Sequence, residues 1–298
     1  MHTALRIPVL FKRAAWRAMD HDVLNVAQSA AYSAMVALFP ALIVASAVVG
    51  LLPNTAPIRY ELATFFDRVL PSDVSPLLAS YFSVTQHTPT SGRALVLAVI
   101  VSVSGASGVI ATFMEGVRRA YDLPPDCWNF WQRRARAVAL VPMSLIPLGV
   151  ASVLVMFGHY LSMWLAMHAM PEVRTPVYLV ALVIRWTVAL TGSVGLVALL
   201  YHLGTPMRQT WRRTLPGAIL ATLMWFVATL IFGWYVTRFA NYSRVYGSLG
   251  AGIALLFWLY LISLSVLYGA EFNAQFMHSG EGRSGDTGTE TAGPICVR

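Results

Sequence analysis

The chain has 298 residues, of which 57% are hydrophobic and only 11% charged, and its formal net charge is +8. A soluble domain carries about 25% charged residues. This chain cannot cover itself with polar surface, which excludes a soluble globular protein and leaves an all-α, polytopic membrane protein as the class.

A helix needs about 20 apolar residues to cross a hydrocarbon core of about 30 Å. A basic segment, 1–27, precedes the first apolar run, 28–52. That run is too long for the apolar stretch of a secretory signal and reads as a retained span. Pro40, in "YSAMVALFPALIV", removes a backbone hydrogen bond there and predicts a kink. The loop 53–93 carries two amphipathic stretches, one with Ile58, Leu62, Phe65, Phe66 and Val69, the other with Val74, Leu77, Leu78, Tyr81 and Phe82. They are expected to lie on the outer membrane surface or to cap a cavity.

The second span, 94–114, holds the small cluster Ser102, Ser104, Gly105, Ser107 and Gly108, and Glu115 follows it. Small residues let membrane helices approach closely. The third span, 137–160, contains Pro142 and Pro147, two further predicted kinks. Arg185 is the deepest basic residue, in the fourth span, 178–201. It either snorkels to headgroups or faces a polar cavity and holds an anionic group.

Pro216 opens the fifth span, 214–236, where its missing N–H is expected to cost nothing. The sixth span, 248–273, begins with Gly247 paired with Ala251 and Gly250 paired with Ala254. This small-xxx-small pattern predicts close packing near the outer end, or a broken helix lining a substrate path. The span ends on Glu271 and Asn273. The tail 278–298, rich in Gly, Ser, Thr and charge, is expected to be disordered, which leaves 28–277 as the six-helix domain.

Basic residues set the expected topology. Fourteen Lys and Arg lie in the N-terminal segment, the second and fourth connections and the tail, against six on the other side. The positive-inside rule therefore places both termini in the cytoplasm. The +8 is accounted for by topology, and nucleic acid is not an expected partner. Trp128 and Trp131 flank Arg133, Arg134 and Arg136, an expected anchor at anionic lipid headgroups.

Glu271 and Glu115 each end a span that runs inward, so both belong near the cytoplasmic boundary, within reach of Arg118, Arg119 or Arg208. Such acids either anchor helices as interfacial ion pairs or couple protons or cations to transport. Together with Asn273 and Arg185 they are the candidates for a substrate path. His159, His168 and His202 are scattered, and Cys127 and Cys296 form no CxxC or Cys/His pattern, so no metal or other cofactor is expected. GxSxG, P-loop and HExxH motifs are lacking, and no enzyme is expected.

"AAYSAMVALFPALIVASAVVGL" (30–51), "SGASGVIATFMEGVRRAYDLP", "RRTLPGAILATLMWFVATLIFGWYV" and "YSRVYGSLGAGIALLFWLYLISLSVLYGAEFNA" resemble the spans of the YihY/virulence factor BrkB family. The resemblance covers roughly residues 10–276 and is most specific in the last stretch. It implies a six-span bacterial inner-membrane protein, from a family once labelled as ribonuclease BN, and it assigns no catalytic role to any residue. Pro216, Gly217, Gly269, Glu271 and Asn273 are among the matched residues. The functional expectation is transport or export of a small solute, ion or lipid-like molecule, with membrane lipids as partners; the alternative is a scaffold for envelope assembly.

Overall fold

A computed structural model of the chain describes residues 7–50, 92–147, 149, 174–207, 209–239 and 248–281. The described residues are helical throughout, apart from turns and short connections. The helices are α1 (Ile7–Asp20), α2 (Val23–Gly50), α3 (Gly92–Ala120), α4 (130–147), α5 (Arg174–Leu203), α6 (Trp211–Phe239) and α7 (Ser248–Glu281). Five of them, α2, α3, α5, α6 and α7, are long and apolar enough to cross a membrane. The outer loop 53–91 and Gly247 lie outside the described residues, as does most of the second half of the third expected span.

α2 packs along α3, α7 packs against α6, α2 and α1, and α5 packs against α6. Large apolar side chains such as Leu97, Ile100, Val183 and Leu230 remain exposed on the outer helix faces. That is the expected surface of a bundle whose solvent is lipid, because hydrocarbon exacts no cost for an exposed leucine.

The N-terminal segment is itself a helix. Leu10, Ala14 and Ala18 recur every four residues and bury one face of α1, with Phe11 against Tyr268 and Phe272 of α7. Tyr268 donates a hydrogen bond to the Phe11 carbonyl at 2.8 Å. At the other end of the chain, α7 continues through Glu281, so residues 278–281 are helical and not part of a disordered tail.

The closest helix approaches correct the reading of the small residues. A Cβ on Gly105 would meet the Ala37 Cβ at 2.7 Å, so Gly105 does bring α3 against α2. Gly108, by contrast, faces open space, with nothing within 4 Å of such an atom. Gly250 and Ala254 are buried, while the Ala251 side chain lies outside the described residues. The tightest approach in α7 sits at the opposite end, where a Cβ on Gly269 would meet both the Ala221 Cβ and the Gly217 carbonyl at 2.6 Å.

Pro40 lies inside α2, and Pro142 and Pro147 lie inside α4. Pro216 is not at a helix start. α6 begins at Trp211, so Pro216 falls within it and leaves a carbonyl of the preceding turn without its donor.

Candidate functional site

The ends of α1, α3 and α7 meet at one end of the bundle, the end that carries the arginine-rich connection 118–136. Two aspartates shape it. Asp122 and Asp22 adopt left-handed backbone angles, φ 51° and 55°. Asp tolerates this region better than most residues, at a cost a glycine would avoid. Asp122 closes α3 as the left-handed residue of a Schellman cap: its N–H donates to the Arg119 carbonyl at 2.9 Å, and Leu123 N–H donates to the Arg118 carbonyl at 3.1 Å. Asp22 closes α1 in a similar way, its N–H donating to the Met19 carbonyl at 3.2 Å.

These two caps turn His21 and Asp122 toward each other and toward α7. His21 Nδ1 lies 2.7 Å from Glu271 Oε1, and His21 Nε2 lies 3.2 Å from Asp122 Oδ1. Arg17 completes the row, donating to Asp122 Oδ2 at 2.8 Å. The row runs from surface to interior: the Asp122 side chain is 41% exposed, His21 14% and Glu271 0%. Glu271 Oε2 is buried with no hydrogen-bond partner among the described residues. A buried, half-satisfied carboxylate is costly to hold in a membrane helix.

Asn273, two residues on, holds a second buried set. It accepts from the Gly217 N–H at 3.2 Å and donates to the Tyr121 hydroxyl at 2.7 Å. The Gly217 donor sits beside Pro216, where α6 has already lost one rung, so Asn273 serves α6 at the point of its closest approach to α7. Burial pushes the Tyr121 phenol above its ordinary range, against the opposing effect of the Asn273 hydrogen bond. The phenol therefore stays protonated. Next to it, Tyr201, wholly buried, donates to the Val266 carbonyl.

Glu115 belongs to a separate cluster. It accepts from Arg118 at 2.7 and 3.0 Å, from Arg119 Nε at 3.1 Å and from Arg133 Nη1 at 3.4 Å. The expected arginine partners thus gather on Glu115 alone, and Glu271 is paired instead with His21. Arg208 is outside the described residues. Arg118 also donates to the Leu123 carbonyl, tying the cluster to the α3 cap. Beside this cluster lies an open groove of about 390 Å³ between α2 and α3. Arg185 is half-exposed on α5 and forms no ion pair with any described residue.

Trp128 is half-buried, with Arg136 over its ring at 4.3 Å, whereas Trp131 is 78% exposed and free to meet headgroups. The sequence reading missed His21 because it lies in a segment with no apolar span. Its signal was the αL-prone dipeptide His-Asp between two helix patterns.

Membrane-length apolar helices around a buried charge row define an integral membrane protein. The profile of the virulence factor BrkB family matches residues 14–292, and the chain belongs to that family. It is 25% identical over 269 residues to the ribonuclease-like protein YfkH of Bacillus subtilis, a match covering 85% of this chain and 90% of that one. It is 29% identical over 264 residues to a UPF0761 membrane protein of Tolumonas auensis, covering 87% and 82%. A third relative, the UPF0761 membrane protein Bpet3042 of Bordetella petrii, is 25% identical, and the match spans 56% of its length. No solved structure matches the chain.

Proposed function

We propose that this chain is a multi-pass protein of the bacterial inner membrane that moves a small solute, ion or lipid-like molecule across it, coupled to protons through Glu271. The supporting topology has six spans, with α4 opening the third and both termini in the cytoplasm, in line with the arginine bias. One observation carries the reading: a fully buried carboxylate inside a membrane-length helix, one oxygen unpartnered among the described residues, the other joined through His21 to an exposed aspartate.

The row can pass a proton without moving the helices. A proton taken up at Asp122 passes to His21 Nε2. The imidazolium then releases its Nδ1 proton to Glu271 Oε1, which leaves a neutral carboxylic acid and a neutral imidazole. Neutralising a buried carboxylate removes part of the cost of keeping its charge out of water, less near the cytoplasmic boundary than the roughly 2.5–3.5 kcal/mol of the bilayer centre, and that change biases how α7 packs. Asn273, linking α7 to α6 and Tyr121, would feel that shift first.

The test uses the full chain in proteoliposomes loaded with a pH-sensitive dye, with panels of solutes and short-chain lipids added outside. A solute that moves protons with the wild type and not with Glu271→Gln supports the reading. Unchanged proton movement in the variant removes Glu271 from the mechanism.

A scaffold for envelope assembly is the second reading. It is favoured by the same row seen as a staple, because Arg17 and His21 fasten α1 to the ends of α3 and α7. Crosslinking in cells that recovers one stable protein partner, with no solute moving protons, decides for it.

A further inference from the structure

We infer that the groove between α2 and α3 binds the phosphodiester headgroup of a membrane phospholipid, with an acyl chain laid along the exposed face of α2. The claim concerns binding and does not rest on the transport reading. One wall of the groove comes from Asp22, Asn25 and Ser29, the other from Thr112, Glu115 and Arg119, with Arg133 reaching in from α4.

Donors for a phosphate are available. Glu115 engages Arg119 through Nε and Arg133 through Nη1. Among the described residues, nothing bonds the Nη atoms of Arg119 or Nη2 of Arg133, and the two side chains are 39% and 41% exposed. A guanidinium fork with free N–H groups matches phosphate oxygens. Two acids and two arginines line the groove, so its charge is balanced. Such a site suits a monoanionic diester and opposes a dianion such as free phosphate.

The surface above the groove supplies the apolar half of the ligand's complement. Asn25, Ser29, Tyr32, Val36 and Phe39 recur every three or four residues, so the polar wall continues up one face of α2 into an apolar stripe. Tyr32, Val36 and Phe39 are 68%, 49% and 52% exposed. On α3, Gly108 lies seven residues before Glu115 on the same face and opens onto empty space. The polar base, open glycine and apolar stripe follow the order of a lipid from headgroup to tail.

The test is a titration of the detergent-purified full chain, read as lipid retained in native mass spectrometry. The probes are phosphatidylglycerol, diacylglycerol with the same chains, and inorganic phosphate as competitor. Wild type should retain phosphatidylglycerol and not diacylglycerol, and millimolar phosphate should not displace it. Arg133→Gln should lower retention by about tenfold or more, the loss of one charge-assisted contact. Gly108→Leu fills the open space without a clash at its Cβ, so it should fold and should lower retention to the same degree. Equal retention by the wild type and both variants overturns the proposal, and so does displacement by phosphate or equal retention of diacylglycerol.

Discussion

His21 and Glu271 stand 250 residues apart in sequence, yet their side chains meet at 2.7 Å where the α1–α2 turn touches α7. Removing one member of a buried pair leaves the other uncompensated and costs about 3–5 kcal/mol, whereas removing both costs less. His21→Ala should therefore destabilise the protein more than the double variant His21→Ala/Glu271→Leu. Unfolding in detergent checks this, and additive losses would show that the two residues do not act as a pair.

Asn273 bonds two buried groups, the Gly217 N–H and the Tyr121 hydroxyl. Asn273→Leu is expected to cost about 2–4 kcal/mol, since it strands the Gly217 N–H and the Tyr121 hydroxyl. Tyr121→Phe should cost about 1–3 kcal/mol, leaving the Asn273 amide short of an acceptor. Alkaline titration separates the two. The buried phenol's raised pKa favours the folded state below its ordinary value of about 10, and that contribution is lost as pH climbs through the raised value. Tyr121→Phe should reduce this alkaline loss; an unchanged profile would show that other groups cause it.

Two glycines give opposite expectations. Gly269→Ala forces α7 away from α6 and should destabilise by about 1–3 kcal/mol. Gly108→Ala meets nothing and should be neutral, or stabilising by up to about 1 kcal/mol through helix propensity. Thermal unfolding of the two side by side is sufficient, and equal effects would refute the packing described here.

Asp122 sits in a left-handed conformation that glycine would adopt freely. Asp122→Gly should leave the melting temperature near that of the wild type, because relief of about 1–2 kcal/mol of backbone cost offsets two partly exposed pairs worth about 1 kcal/mol or less each. Proton uptake by Glu271 should nevertheless slow, measured in the dye-loaded vesicles. A large loss of stability would mean the carboxylate is chiefly structural.

Periodicity and composition found the membrane helices because lipid imposes one rule on every residue of a span. They found the acids too, since a carboxylate in an apolar run is conspicuous. Partner choice was not legible. Glu115 and Glu271 end similar segments, yet one collects three arginines and the other a histidine. Helix length shifted as well: α6 extends back to Trp211, past Pro216, which no local pattern reports.

From sequence alone came the class, the helices, and an end of the molecule rich in arginine, because burial in hydrocarbon acts on each segment separately. Only the tertiary structure decided which small residues touch, that Gly269 and not Gly108 is the close contact, and that His21 reaches Glu271. Those outcomes depend on how helices distant in the chain are rotated against one another, and a stretch of sequence carries the face of its own helix, not the identity of the neighbour that face will meet.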